Sequence, residues 1–231
     1  MKVFAISDLH LSINNPKPMD IFGPVWDNYL EDIEKDWNEK VSDDDVVLIP
    51  GDISWAMKLN EAKLDLDYIG KLKGNKVIIK GNHDYWWSAI SSVRESLLEK
   101  TFALQNDAIK FENVIICGTR GWLVPDNGYK SEQDEKIYKR ELIRMELSLK
   151  SMMTLRQDED KVIVMTHFPP YNYRREDSEM TDLFEKYKVD AVVFGHLHTY
   201  DKRGNLTYNK NGIDYYLTSC DLVENKLIQI L

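Results

Sequence analysis

Residues 76–84 read Lys-Val-Ile-Ile-Lys-Gly-Asn-His-Asp, a short apolar run that passes directly into glycine and three polar residues. A run of this length, rich in valine and isoleucine, is too short for a helix and predicts a buried strand. The strand is expected to end at Lys80, so that Asn82, His83 and Asp84 follow it in a loop. The same arrangement, a strand followed by a cluster of polar side chains, recurs along the chain.

Five further short apolar runs predict strands of the same kind. They are Lys2–Ser7, Val46–Pro50, Val114–Cys117, Val162–Thr166 and Ala191–Phe194. Between several of them, apolar residues recur at helical spacing, as in Leu59, Ala62, Leu66 and Ile69, and in the stripes that begin at Trp26, Trp86 and Tyr138. Strands that alternate with helices predict an α/β fold whose strands are covered on both faces.

The end of the chain has a different pattern. Apolar and polar residues alternate around Asn211-Gly212, which is a strong signal for a two-residue hairpin. A final strand is expected over Lys226–Leu231. The second half should therefore add antiparallel strands and make the sheets mixed. We predict a single domain over residues 1–231, in which residues 119–160 form an insertion that carries the longest helix.

The composition limits the classes of protein and of partner. The chain of 231 residues has a formal net charge of −9, so its surface should repel polyanions, and no cluster of lysine and arginine supplies a basic groove for nucleic acid. The motif at Asp8 leaves no room for a signal peptide before it, and no apolar run approaches the roughly 18 residues of a membrane span. Two isolated cysteines, Cys117 and Cys220, form no disulfide framework. These features predict a cytoplasmic protein without a membrane partner.

All the histidines of the chain lie at predicted strand ends. They are His10, His83, His167, His196 and His198. Because the carboxyl ends of strands in open α/β sheets form ligand-binding crevices, these side chains can converge on one site, together with Asp8, Asp52 and Asn82. Carboxylate, amide and imidazole donors without thiolate suit Zn, Mn, Fe, Co or Ni. The donors also exceed the four of a closed structural zinc site.

Each motif by itself has a structural interpretation. A single Asp-x-His or His-x-His is more often a hydrogen-bonded histidine than a metal ligand, and Gly-Asp after a strand is commonly a turn or a helix cap. Motifs that together use every histidine of the chain are hard to explain as independent turns. The set therefore predicts a site for two metals that share a bridging carboxylate.

The motifs resemble, in order and spacing, those of the calcineurin-like metallophosphoesterases. They are Asp8-x-His10, Gly51-Asp52, Gly81-Asn82-His83-Asp84, His167 and Gly195-His196-x-His198. The resemblance covers the chain in outline and implies a four-layer α/β/β/α sandwich, in which helices flank two central sheets. The continuation Ile53-Ser54-Trp55 departs from the protein phosphatase branch of the family, which has further aspartate and arginine residues after Gly-Asp.

The resemblance also implies a role for each motif residue. One divalent metal would be held by Asp8, His10, Asp52 and His198, and a second by Asp52, Asn82, His167 and His196. His83 would bind no metal but would lie near the scissile phosphate, oriented by Asp84. A protonated His83 could stabilise phosphoryl charge or protonate the leaving group.

The implied reaction is hydrolysis of a phosphate ester by a hydroxide that bridges the two metals. A small phosphodiester or nucleotide is the expected substrate. The alternatives are a phosphomonoester or a DNA end at the same site, or a metal-binding scaffold without activity. Arg120, Trp122, Tyr171 and Arg174 follow strands that end near the predicted site, where arginine could bind phosphate and a ring could stack on a base. Arg174 and its neighbour Arg175 are equally well explained as an exposed loop pair.

Overall fold

The computed structural model describes residues 1–126, 128–129, 131–198 and 205–231. In chain order its strands are β1 (Val3–Ala5), β2 (Val46–Ile49), β3 (Asn75–Ile78), β4 (Thr101–Ala103), β5 (Ala108–Phe111), β6 (Val114–Thr119), β7 (Lys161–Thr166), β8 (Ala191–Phe194), β9 (Thr207–Lys210), β10 (Ile213–Leu217) and β11 (Ile228–Gln229). The α-helices of these residues are α1 (Tyr29–Lys40), α2 (Leu59–Lys71), α3 (Ile90–Ser96), α4 (Glu132–Leu155) and α5 (Glu179–Lys186). Two short 3₁₀ turns, Asp20–Phe22 and Pro24–Trp26, precede α1.

Both sheets are mixed. The first has the strand order β11-β1-β2-β3-β4, in which β11 runs antiparallel to β1 and the other pairs are parallel. The second has the order β5-β6-β7-β8-β10-β9, with antiparallel strands at its two edges and parallel pairing between them. Within each sheet, the strands that precede the histidine motifs therefore run in one direction.

Alternation of side chains along the strands builds the layers. In β2, Val46 and Leu48 belong to a core between the sheets that also contains Ile163 of β7, whereas Val47 and Ile49 face the helices. Helices α1, α2 and α3 cover the outer face of the first sheet, and α4 and α5 cover that of the second. The fold therefore has four layers, in the order helices, sheet, sheet and helices. The predicted α/β/β/α sandwich with mixed sheets is confirmed.

Most elements correspond to the sequence patterns. Each of the six apolar runs contains a strand, and the four helical stripes correspond to α1–α4. The hairpin between β9 and β10 turns at Asn211 and Gly212, which have φ of 53° and 82°, as a two-residue turn of type I′ requires. The sequence patterns did not predict β4, β5 or α5. Trp86, counted as the start of the third stripe, precedes α3 but is buried as expected.

The longest helix, α4, is part of the outer layer. Its buried residues Met145, Leu149 and Met152 pack in one core with β6 and β7 of the second sheet. That residues 119–160 are an insertion into a single domain stays a prediction. Among the described residues, no helix is long and apolar enough to cross a membrane.

Candidate metal centre

The loops that follow β1 and β2 remain paired beyond the ends of their strands. The N–H of His10 donates to the carbonyl of Asp52 (3.0 Å), and that of Leu11 donates to Ile53 (2.9 Å). This pairing brings Asp8, His10 and Asp52 together, although their backbones are left-handed, with φ of 58°, 46° and 51°. Such a conformation costs a non-glycine residue about 1–3 kcal/mol and persists where the surrounding structure enforces it.

Two glycines allow the motif loops to touch. A β-carbon on Gly51 would lie 2.7 Å from both the Cα of Gly81 and Nδ1 of His167. A β-carbon on Gly195 would collide with the carboxylate of Asp8. No other residue type would fit at these positions without moving the loops, so each glycine is needed for the approach of the motifs.

One group of potential ligands surrounds His10. Its Nε2 lies 3.4 Å from Nε2 of His198 and 3.9 Å from Oδ2 of Asp52. Ligand atoms of Asp8, His10 and His198 all lie within 4.8 Å of one another. Nδ1 of His198 donates to Oδ1 of Asp221 (3.1 Å). Because a carboxylate only accepts, this bond leaves Nε2 of His198 directed at the site.

A second group surrounds Asn82. Its Oδ1 lies 2.6 Å from Nε2 of His167 and 2.8 Å from Nδ1 of His196. Oδ2 of Asp52 lies 3.4 Å from Nε2 of His167, so one carboxylate oxygen borders both groups. Nδ1 of His167 lies 3.0 Å from the carbonyl of Pro50. It must donate there, which leaves Nε2 without a proton in the neutral ring.

Burial dominates the electrostatics of the site. Burial, and after it the carboxylates of Asp84 and Asp8, raise the pKa of Asp52 to about 9. Burial also lowers the pKa of His196 to about 4 and the pKa of His167 well below its ordinary value. The Asp52 carboxyl group, which resists ionisation, therefore lies beside the neutral ring of His167. A bound cation would lower the pKa of this carboxyl group and would need the ring nitrogens that bind it to be unprotonated.

His83 lies at the edge of the first group. Its ring centre is 5.6 Å from that of His10 and 4.8 Å from that of Trp55, and its backbone N–H donates to Oδ1 of Asp52 (2.7 Å). Burial lowers the pKa of His83 below its ordinary value. The half-buried ring is thus next to the ligand groups, and the predicted role of His83 stays a prediction.

Asp84 has a different environment from the one expected. Its Oδ1 accepts from Ile53 N (2.9 Å), Ser54 N (3.1 Å) and the Trp86 indole (2.9 Å), and its Oδ2 accepts from Gly81 N (2.7 Å). A carboxylate offers about four lone-pair positions, so these bonds saturate it. Asp84 therefore ties the loop after β2 to the loop after β3 rather than contacting the ring of His83.

Two residues predicted to bind substrate lie near the second group. The guanidinium of Arg120 lies 4.8 Å above the ring of Trp122 and 4.0 Å from Oε1 of Glu141. The Trp122 ring centre is 4.9 Å from that of Phe168, which in turn is 4.2 Å from that of His196. Arg120 and Trp122 thus connect to His196 through the intervening ring of Phe168.

The other two predicted substrate residues are not brought to the site. Tyr171 is buried in the core of the second sheet, where its ring meets Phe194 and Tyr215. This corrects its predicted role to one in packing. Arg174 has a side chain that is 62% exposed and lies 4.0 Å from Oε1 of Glu176, which agrees with an exposed loop pair.

The sequence analysis assigned no role in the site to two residues that contact its histidines, Asp221 and Trp55. Asp221 follows β10 by a few residues, so the rule that found the other motifs, a polar side chain after a strand, would have found it. Trp55 lies three residues after Asp52 and stacks on His10, with ring centres 4.6 Å apart and an angle of 23° between the rings. An aromatic residue in a loop carries no signal that separates such stacking from ordinary packing.

Comparison with known proteins agrees with this geometry. The sequence profile of the calcineurin-like phosphoesterases matches residues 1–200, whereas no curated protein matches the sequence. Among solved structures, the phosphopantetheinyl hydrolase of Mycobacterium tuberculosis is similar, with a TM-score of 0.59, 15% identity, and coverage of 100% of this chain and 95% of that one. TT1561 of Thermus thermophilus has a TM-score of 0.59, 14% identity, and coverage of 98% and 96%. The protein AQ665 of Aquifex aeolicus has a TM-score of 0.52, 15% identity, and coverage of 99% of this chain and 95% of that one. At this identity the structures share the fold, and the profile match shows that the chain belongs to the calcineurin-like phosphoesterase family.

Proposed function

We propose that this protein hydrolyses phosphate esters with two divalent cations bound by the two ligand groups. The first cation would be held by Asp8, His10, Asp52 and His198, and the second by Asp52, Asn82, His167 and His196. The single oxygen of Asp52 that borders both groups supports its role as the bridging ligand. Mn²⁺ is the ion we propose to test first, because the donors are carboxylate, amide and imidazole without thiolate.

The observation that carries this proposal is the short distance between two acceptor atoms. Oδ1 of Asn82 and Nε2 of His167 are 2.6 Å apart. Nε2 carries no proton, because the ring is neutral and Nδ1 donates to Pro50. Two lone pairs that face each other in a buried site repel, and a cation that both coordinate removes the repulsion. With the Asn82 amide in this orientation, the donor set therefore fits a metal ion.

The remaining residues of the site supply binding and proton transfer. When bound, the two cations would polarise the phosphoryl oxygens and lower the pKa of a water molecule. His83 stays outside both ligand groups, so its ring can hold a proton beside the substrate. Its lowered pKa makes the ring neutral near pH 7 in the free protein. The negative charge of a bound ester would raise that pKa, and the protonated ring could then donate to the leaving oxygen or to a phosphoryl oxygen.

The charge of the chain supports a small substrate. A net charge of −9 opposes binding of a long polyanion, whereas the positive site would still attract a small phosphodiester or nucleotide. Arg120, beside Trp122 and near the second ligand group, is a candidate contact for such a substrate. The two cysteines, Cys117 and Cys220, are free and buried, which is consistent with the cytoplasmic location that we propose.

The test combines metal analysis with a substrate panel. The protein is stripped with a chelator, and activity on nitrophenyl mono- and diesters, cyclic nucleotides, dinucleotides and single-stranded DNA is measured before and after Mn²⁺ is restored. We expect activity on a small ester that depends on Mn²⁺, with two metal ions per chain. Full activity of a protein that elemental analysis shows to be metal-free would contradict the proposal. Faster cleavage of single-stranded DNA, with a steep salt dependence, would contradict the preference for small substrates.

Two matched variants separate the site from the fold. Asp52→Asn should lower both metal content and turnover, because it removes a ligand of both cations. Asp45→Asn is the control, because the Asp45 carboxylate also accepts backbone N–H groups, at Lys2 (2.6 Å) and Ser42 (2.9 Å), but lies near the start of β2. This control should keep wild-type metal content.

A further inference from the structure

A pocket of about 420 Å³ is lined in part by Trp55, whose ring lies beside those of His10 and His83, and it is not used by the assignment above. Its lining includes Ser12, Asn14, Asn15, Lys17, Trp55 and Met57. The volume lies in the range of pockets that hold small molecules. The lining combines hydroxyl, amide and ammonium groups with an indole and a thioether, so it can accommodate a group that is partly polar.

Trp55 connects this pocket to the candidate site. Its ring stacks on His10 at 4.6 Å and lies 4.8 Å from the ring of His83, and the same residue lines the pocket. A substrate whose phosphate lies at the ligand groups can therefore extend past His83 into the pocket. Because His83 is the residue proposed to donate a proton to the leaving oxygen, the part of the substrate that extends in this direction is the leaving group.

Lys17 provides the positive charge of the pocket. Its ammonium lies 4.6 Å above the ring of Trp55, and its side chain is exposed. Among the described residues, Lys17 makes a cation–π contact with Trp55 but no salt bridge. A lysine held over an indole and open to solvent keeps its hydrogen-bond donors available for a ligand.

The two carboxylates of the pocket are directed elsewhere. Glu61 accepts from the backbone N–H groups of Met57 and Lys58, both at 3.2 Å, at the start of α2. Asp65 is buried and accepts from the N–H of Ile13 (2.8 Å) and from the hydroxyl of Ser54. Neither pairs with Lys17, so an anionic ligand would not need to displace an existing ion pair.

We propose that this pocket binds the leaving group of the substrate and that Lys17 recognises a negative charge on it, such as a carboxylate or a second phosphate. The inference rests on the proposed hydrolysis of phosphate esters and adds a preference within it. A leaving group with an anionic end is favoured over a neutral one of the same shape. Ser12, Asn14 and Asn15 contribute uncharged hydrogen-bonding groups beside it.

The test compares two esters that differ in one charge. The 4-carboxyphenyl and 4-carbamoylphenyl esters of phosphate, and the corresponding methyl diesters, have leaving groups of nearly equal size. For the wild-type protein with Mn²⁺, kcat/KM should be higher for the carboxyl member of the pair. In Lys17→Met, which replaces the ammonium side chain by an uncharged, unbranched one, kcat/KM for the carboxyl ester should fall about tenfold, mainly through KM. The carbamoyl ester should change less than about twofold, since the variant removes only a charge.

Two further variants make the result specific. Lys17→Arg keeps the charge and should retain the preference for the carboxyl ester. Lys35→Met removes an exposed lysine of α1 that does not line the pocket, so it changes the net charge equally and should leave the preference unchanged. If Lys17→Met changes kcat/KM by the same factor for both esters, so that their ratio is unchanged, the proposed role of Lys17 is wrong. The hydrolase assignment is not affected by that result. If the wild-type protein with Mn²⁺ cleaves neither pair but cleaves another small ester of the panel, this inference fails alone; if it cleaves no ester of the panel, the proposed function fails as well.

Discussion

Asp84→Asn is the substitution whose effect the structure determines most closely. The buried carboxylate accepts four hydrogen bonds, three at Oδ1 and one at Oδ2. An asparagine can keep its oxygen where three donors converge, but its amide nitrogen then faces the N–H of Gly81. If the amide is rotated so that its oxygen lies at Gly81, the bond from the Gly81 N–H is kept and the three bonds at the position of Oδ1 are lost. Either way, donors are left facing one another in the interior.

The magnitude follows from the better of these two orientations. One charge-assisted bond is lost, at about 1.5–3 kcal/mol, and three others become bonds to a neutral acceptor, which are weaker by roughly half. The loss is partly offset because the variant no longer buries a charge, and burial does raise the pKa of Asp84. We expect a net destabilisation of about 2–4 kcal/mol. For a chain of this length that corresponds to a fall in Tm of about 5–15 °C.

The effect should reach the ligand groups as well as the fold. Asp84 joins Gly81, which precedes Asn82, to Ile53, which follows Asp52. Weakening this connection should displace Asp52 in one loop and Asn82 in the other. The metal content should therefore fall together with the free energy of unfolding. Unfolding in denaturant, followed by tryptophan fluorescence, gives the free energy of unfolding. Elemental analysis gives the metal content, and a nitrophenyl ester gives kcat.

Asp45→Asn provides the matched comparison. Burial by itself would raise the pKa of Asp45, but the backbone N–H groups of Lys2 and Ser42 outweigh it and hold the pKa below its ordinary value. Its contribution is therefore full above the unfolded-state pKa and is lost as pH falls through the folded-state pKa. The control should lose about 1–2 kcal/mol near neutral pH and none at strongly acid pH, with metal content unchanged. If Asp84→Asn instead keeps wild-type stability and metal content but loses kcat, then Asp84 acts on His83 directly and the positioning role is wrong.

Three further substitutions test separate parts of the structure. His83→Ala should lower kcat by about 10²–10⁴-fold with both metals retained, and the loss should be smaller for a nitrophenolate leaving group if His83 donates a proton; a variant that loses a metal would show that His83 is a ligand. Asp221→Asn should weaken metal binding by about 10–100-fold, because Nδ1 of His198 loses its charged partner; a Mn²⁺ titration with wild-type midpoint would refute this. Lys76→Met should destabilise the fold by about 2–4 kcal/mol, because the ammonium donates to the carbonyls of Gly70, Leu72 and Gly74; unfolding experiments measure the loss, and kcat should stay unchanged.

The parts of the fold that could be predicted are those with a repeating burial pattern. All four residues of β2 are buried, since its two faces meet different cores, and such strands appear in the sequence as continuous apolar runs. In β5 no residue is fully buried. This edge strand therefore has neither a continuous buried run nor an alternation of buried and exposed residues by which it could be identified. Helix α5 is only eight residues long, which is close to the shortest stripe that helical periodicity can define.

The structure brings together histidines, a rare residue type in this chain, whereas Tyr171, which belongs to a commoner type, lies in a core. Histidines are few in this chain, and their positions after strands were enough to place Asn82, His83 and the ligand groups together. Tyr171 shows the opposite case. Its position after β7 suggested the site, but the strand-end rule says nothing about which way a side chain turns, and a tyrosine ring gains more by burial against Phe194 and Tyr215.

The ligand groups are positioned by backbone pairing that does not require a cation. His196 also has a left-handed backbone, with φ of 72°, as do three of the other proposed ligands. Hydrogen bonds between the segments that follow the strands hold these conformations. The N–H of Asp8 donates to Gly51 within the first sheet, that of Gly195 donates to His167 within the second, and that of Ser7 donates to Thr218 across the two sheets. Since the fold itself supplies the energy that holds these backbones, a cation need not reorganise the chain on binding. Its binding energy is then available to relieve the repulsion between buried carboxylates and between facing lone pairs. That is the physical reason to expect ligand substitutions to reduce metal affinity while the sandwich stays folded.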